Sequence, residues 1–353
     1  MDALISAEFA PKVTHLDTAA TGLLPARAAA ALREGIDALT GDRPLGSSQH
    51  EAVAAARRGF ARIEGVPEEW VSVGSSVSIH VGIVAEALPA GAEVLLADGD
   101  FSSLVTPFSI RPDLRVRSVP ADRIADEVRP GTDLVAVSSV QFDTGRLADL
   151  GAIREAARTH GARTLIDTTQ GVGWRPPVAS GFDVTVCGAY KWLMHPRGGS
   201  YLTASDAARE WLRPLFPSWM AAADPMGSVA GGVSELSATA RRYDQSPPFL
   251  PYIAGQHAFA LIEELGGPER VGAHNTALAD RFRAGLVDLG YEPAPAPGSA
   301  IVGLPGRADL VPYLSEAGIV ASARGGLRIA FHLYNTEADA DRTLEVLADA
   351  RSD

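Results

Sequence analysis

A single cysteine, Cys187, in 353 residues has no partner for an intrachain disulfide. A disulfide framework is therefore excluded, and a reducing cytoplasm is the expected setting. Positive charge is scarce as well, with 31 Lys and Arg against 43 Asp and Glu and a net charge of -12. Sequence-independent nucleic-acid binding needs clustered positive charge against phosphates, so a small-molecule partner is expected instead. No apolar run reaches the roughly 18 residues that suggest a membrane span, and the residues after Met1 form neither a basic start nor an apolar leader core. The sequence reads as soluble, unsecreted and without a membrane partner. No internal repeat or disordered tail stands out, and Ala28-Ala29-Ala30 is helix-forming alanine.

What is present is length and regular alternation. The chain is long enough for about two domains and for burial of roughly 75% of its unfolded surface, so its core needs neither metal nor disulfide. Short apolar runs alternate with helix-like stretches from about residue 70 to 190, the rhythm of βα units around a mostly parallel sheet. Strands are expected at residues 71–73, 94–97, 116–119, 134–138, 164–167 and 184–187, and residues 198–203 resemble a strand returning antiparallel. One intervening helix is legible in detail: Asp149 as N-cap, Leu150, Ile153 and Ala157 on one face, and Gly161 as stop. Beyond residue 251 the pattern predicts helices over 254–265 and 275–289, then a rigid connection at 292–298 with three prolines. Strands at 301–304 and 327–331 and a helix at 338–348 complete a smaller α/β unit. The expected domains are 16–250, large, and 251–353 with 1–15, small.

Chemistry concentrates around Lys191. Its neighbours Val184, Val186, Tyr190, Trp192 and Leu193 are apolar, and desolvation lowers an amine pKa toward the neutral nucleophile. Asp167 ends a predicted strand 24 residues earlier and Gln170 follows at three. An amine that condenses with an aldehyde and a carboxylate that keeps a pyridine nitrogen protonated are what pyridoxal phosphate (PLP) requires. Gln170 suits a donor to the phenolate oxygen of such a cofactor, although an aspartate after a strand also commonly caps the next helix. Gly74-Ser75-Ser76 opens a helix where backbone donors and the helix dipole suit a phosphate, or simply forms a glycine turn with a serine cap. The Tyr190 hydroxyl suits the same phosphate, or its ring is ordinary packing.

In order along the chain, Leu16-Asp17-Thr18-Ala19-Ala20-Thr21-Gly22, Gly74-Ser75-Ser76, Asp100-Phe101-Ser102-Ser103, Ser139-Val140-Gln141, Asp167-Thr168-Thr169-Gln170, Tyr190-Lys191-Trp192-Leu193 and Arg328-Ile329-Ala330-Phe331-His332-Leu333-Tyr334-Asn335-Thr336 resemble the class V aminotransferase family of fold-type I PLP enzymes. The resemblance runs through nearly the whole chain. It implies an α/β fold with a large domain around a mostly parallel seven-stranded sheet, a small C-terminal α/β domain, and a homodimer with sites near the subunit interface. It further implies Lys191 as the cofactor-bound amine and proton shuttle, Asp167 at the pyridine nitrogen, Gln170 and Gln141 at the phenolate, and Ser75, Ser76 and Tyr190 at the phosphate. Phe101 aligns with an aromatic stacked on the cofactor, or is a core phenylalanine. Arg328 matches the arginine that grips the substrate carboxylate, where a planar guanidinium suits bidentate contact, or forms an ion pair. Arg324 is a second candidate for that anion.

Cysteine desulfurases of this family carry a nucleophilic cysteine on a loop shortly before that arginine, and residues 318–328 contain none. Cys187, at the end of an expected strand, reads as a small buried apolar residue. The segments 186–193 and 240–248 are most similar to the branch of ergothioneine-biosynthesis C-S lyases, the hercynylcysteine sulfoxide lyases. That resemblance implies elimination from a β-sulfur-substituted amino acid to a sulfur product, pyruvate and ammonia, with Ser246 in place of a threonine that reaches the partner's phosphate. The stretch 219–224 is less aromatic than the substrate wall expected there. An aminotransferase, or an epimerase resembling isopenicillin N epimerase, shares the same cofactor grip; a non-catalytic or nucleotide-binding α/β protein is permitted by the serine-rich turn alone.

Overall fold

The computed structural model describes residues 2–41 and 46–350, so residues 1 and 351–353, at the ends of the expected small domain, lie outside the described residues. The large sheet has seven strands: β1 (Val71–Gly74), β2 (Glu93–Ala97), β3 (Arg115–Val119), β4 (Leu134–Ser138), β5 (Arg163–Asp167), β6 (Val184–Gly188) and β7 (Ser200–Ala204). Their order is β1-β7-β6-β5-β4-β2-β3. Strands β2 to β6 pair in parallel, and β7 runs antiparallel to both β1 and β6. The continuous apolar runs are explained by cover on both faces. Val94, Leu96, Ala136 and Val186 meet helices Val77–Ala87 and Ser102–Ser109 on one side, whereas Leu95, Val135, Val137 and Ile166 meet helix Leu150–His160 on the other. Strand β3 lies at the edge and carries exposed Arg115 and half-buried Arg117, charges that discourage further pairing.

Local signals hold where side chains supply the missing backbone partners. Asp149 Oδ1 accepts from Ala152 N at 2.9 Å, and Gly161 closes its helix at a left-handed φ of 70°. Two helices begin earlier than the pattern predicts, at Phe249–Glu264 and Gly267–Asp288. Pro251 and Pro268 lie in the first turns, where proline costs no intrahelical hydrogen bond.

The small sheet, β8 (Ile301–Pro305), β9 (Ser322–Ala323) and β10 (Gly326–Ala330), is antiparallel in the order β9-β10-β8. Phe282, Leu286, Val302, Leu327, Ile329 and Leu347 form its core together with Leu16. Thr14–His15 pairs parallel with Ile319–Val320, and Asp17 bridges to Ala330. Leu16 therefore packs with the small sheet, although it was expected to open the large domain. Helix Phe249–Glu264, expected in the small domain, packs on helices Ala26–Thr40 and Gly46–Glu64, and Phe259 and Ile262 join the core beneath β1 and β7. Among the described residues no helix is long and apolar enough to cross a membrane.

The register decides where chemistry collects. Ser138 pairs with Asp167, and Gly74 and Gly188 both pair with Ser200. The carboxyl ends of β1, β4, β5 and β6 thus share one rim, the usual ligand edge of an open α/β sheet.

Candidate active site

A cavity of about 190 Å³ opens at that rim, and Ser75, Ser76, Phe101, Asp167, Gln170, Tyr190 and Lys191 line it. Residues separated by more than a hundred positions are brought together because each stands at a strand end or on the turn that follows. Lys191 follows β6 on a tight turn. Met194 N donates to Lys191 O at 3.1 Å while Met194 holds a left-handed φ of 55°, a conformation of higher energy for a non-glycine residue. Gly22 N donates to Tyr190 O at 2.9 Å, and a Cβ at Gly22 would stand 2.0 Å from Lys191 O. Only a glycine lets the Leu16–Gly22 motif lie against the lysine backbone. From the small sheet, His332 Nε2 donates to Trp192 O at 3.0 Å while Nδ1 accepts from Asn275. Tyr334 OH pairs with Thr18 Oγ1 and accepts from Leu23 N. The first and last motifs of the chain therefore both brace the lysine turn.

Burial lowers the Lys191 amine to about 8; Asp167 opposes the shift, and Arg328 and Arg197 add to it. The Nζ lies 5.2 Å from the Phe101 ring centre and 5.6 Å from that of Tyr190. Asp167 is pushed up to about 6, first by burial and further by Asp100, against hydrogen bonds from Thr169. Thr169 N donates to Asp167 Oδ1 at 2.9 Å. Asp100 has no role that its motif in the sequence reveals. Its carboxylate accepts from Ser138 N at 2.8 Å, Ser138 Oγ at 2.5 Å and Phe101 N at 2.7 Å, so it fixes the turn that carries Phe101. The Phe101 ring meets Phe142 edge-on at 5.2 Å.

Gln170 reaches the cavity with most of its amide engaged: Nε2 donates to Ala19 O at 3.0 Å and Oε1 accepts from Trp192 at 2.8 Å. One amide N–H remains for a ligand, and the side chain also clamps the N-terminal motif to the lysine turn. Gln141 does not line the cavity; its Nε2 faces Asp100 at 3.5 Å. Arg328 and Arg324 do not line it either. Arg328 is 2% exposed, ion-paired to Asp17 at 2.9 Å, and donates to Phe142 O at 2.7 Å, with Nε left unpartnered. Arg324 is exposed and donates to Ala323 O. Ser246 is exposed and away from this cavity, just beyond Asp244, which anchors the segment to Arg57, Ser72 and Val73. None of residues 219–224 lines the cavity. Arg197 does, and no motif marked it.

These residues fit PLP. Asp167 is a buried carboxylate that a protonated ring nitrogen would satisfy, and Lys191 is a desolvated amine. Ser76 precedes helix Val77–Ala87 without capping it by its side chain, since its Oγ meets Ser78 Oγ, and the first-turn N–H groups have no intrahelical acceptor. Amine, carboxylate and anion cradle at one sheet rim define a carbonyl-cofactor enzyme of the α/β class. The chain belongs to the class-V aminotransferase family, whose model matches residues 14–292. It is 26% identical over 384 residues to isopenicillin N epimerase of Streptomyces clavuligerus, covering 96% of this chain and 94% of that protein. It is 23% identical to the uncharacterized aminotransferase YcbU of Bacillus subtilis, over 84% of each chain. Its fold matches a complex of the cystine C-S lyase C-DES with cysteine persulfide at a TM-score of 0.86, with 21% identity over 96% of this chain and 98% of that one. PLP is the cofactor, and the protein is a PLP-dependent enzyme.

Proposed function

We propose that this enzyme is a C-S lyase that eliminates the sulfur group from a β-sulfur-substituted amino acid. The observation that carries the reading is the state of its sole cysteine. Cys187 is fully buried in β6, with burial pushing its thiol well above the ordinary range, and residues 318–328 hold no other thiol. No side chain is then available to receive sulfur as a persulfide. Lys191 would hold PLP until the substrate amine takes its place, and the cofactor would then supply an electron sink at the α-carbon while Lys191 is free to act as a base. Asp167 would keep the ring nitrogen protonated, Ser75, Ser76 and Tyr190 would hold the phosphate, and Phe101 would cover the ring and exclude water. Arg328, with Arg324 nearby, is assigned the α-carboxylate, and to take it Arg328 must exchange its pairing with Asp17, since it stands outside the cavity in this structure. Lys191 Nζ accepts the α-proton, and the Cβ–S bond then breaks with its electron pair leaving on sulfur. The unsaturated amine that remains takes up water and yields pyruvate and ammonium. The similarity of 186–193 and 240–248 to ergothioneine-pathway lyases favours a hercynylcysteine sulfoxide-like substrate in a cytoplasmic homodimer, with Ser246 facing the partner's phosphate.

A panel of S-substituted cysteines, assayed for both pyruvate and the sulfur product, tests the reading. Pyruvate with stoichiometric thiol or sulfenate, abolished in Lys191→Ala, is expected. Likeness to isopenicillin N epimerase over 96% of the chain favours epimerisation as the second reading. Solvent deuterium entering the α-position without pyruvate would select it, and keto-acid-dependent amino transfer would select an aminotransferase.

A further inference from the structure

Among the described residues, Arg197 is a cation at this cavity with no acid paired to it. It stands on the turn between Met194 and β7 and lines the same cavity as Lys191. Its guanidinium carbon lies 4.2 Å from the centre of the Tyr190 ring. Its one hydrogen bond among the described residues is long, Nη2 to Thr21 Oγ1 at 3.4 Å, and no carboxylate pairs with it there. Arg328 differs, being buried and neutralised by Asp17. A guanidinium laid on an aromatic face is oriented while keeping its charge, and four of its five N–H donors remain free. Arg197 is also exposed and reaches Thr21, whereas the Lys191 that would carry the cofactor is buried. An exposed guanidinium on the cavity wall is within reach of a ligand's outer end.

We propose that Arg197 is a specificity-determining residue that binds a second anion, a carboxylate carried on the far side of the substrate's sulfur. The sulfur in this inference rests on the lyase reading above; the anion rests on the surroundings of Arg197 alone. Preferred substrates are then S-substituted cysteines with an anionic tail.

The test is equilibrium binding of S-carboxymethylcysteine and S-ethylcysteine to the PLP-loaded enzyme, followed by the change in its visible absorption band, with pyruvate measured in parallel. Wild type should bind the carboxymethyl compound more tightly. Arg197→Gln should weaken that compound about tenfold, the effect of one lost charge-assisted contact, and leave the ethyl compound within about twofold. Arg197→Lys should fall between, and PLP content should be unchanged in both variants. Equal weakening of both compounds would assign Arg197 to the shared α-carboxylate and overturn the proposal. So would PLP loss on dialysis, which assigns it to the phosphate, or a wild type indifferent to tail charge. If the charge preference appears without pyruvate, the lyase reading falls while the role of Arg197 stands.

Discussion

Asp167 is held at an energetic cost in the protein without cofactor. Its folded pKa of about 6 exceeds the ordinary 3.8 because burial penalises the anion. Between those values the native state binds the proton and the unfolded state does not, so this group's contribution to stability falls as pH rises through the window. Above pH 6 the loss amounts to about 3 kcal/mol. Asp167→Asn removes it and keeps an oxygen for Thr169. The cofactor-free variant should therefore unfold at higher urea than cofactor-free wild type at pH 7, with the gap closing below pH 4. On the role proposed for Asp167 the order should reverse with PLP, because the ring nitrogen would lose its counter-charge, and turnover should drop by roughly 10²–10³. A cofactor-free Asp167→Asn less stable than wild type at pH 7 would contradict the desolvation argument. Lys191 carries the opposite sign: burial brings it to about 8, and only the neutral amine attacks an aldehyde. The rate of PLP uptake by the cofactor-free enzyme should rise through that pH and level off above it; a flat profile from pH 6 to 9 would count against a lowered pKa.

At the scale of elements, the lysine turn is the part most constrained by its neighbours. Gly22→Ala places a methyl 2.0 Å from Lys191 O, and a backbone oxygen cannot move aside as a flexible side chain can. A loss of roughly 1–3 kcal/mol is expected, with weaker PLP retention, read from the urea midpoint and the visible band. An unchanged midpoint would mean that the Leu16–Gly22 segment does not press on the turn. The strands and the helix that starts after Asp149 were legible because their signals are local: apolar runs, a capping carboxylate and a closing glycine. The early starts at Phe249 and Gly267 were not, since a proline reads as a break until its place in a first turn is known. Gln170 shows the same limit at a site residue. Its position in the cavity followed from strand-end spacing, but its clamp between Ala19 and Trp192 depends on segments far apart in the chain.

For the molecule as a whole, the decisive property is that chemistry collects on one rim and the only thiol lies below it. Cys187→Ala should leave pyruvate formation within about twofold, at a cost near 1 kcal/mol for the small volume lost; loss of sulfur release in a folded variant would restore a persulfide route. Residue types and order along the chain determined the α/β class and the PLP cofactor and singled out Lys191 and Asp167 as candidates, because strand periodicity and the chemistry of an aldehyde cofactor are both written locally. Tertiary structure alone decided which candidates share the cavity. It moved Gln141 to Asp100, closed Arg328 onto Asp17, and brought unmarked Arg197 to the cavity beside Tyr190. Those outcomes depend on which polar side chains meet across the sheet rim, and a pairing such as that of Arg328 with Asp17, 311 positions apart, leaves no periodic or local trace in a sequence.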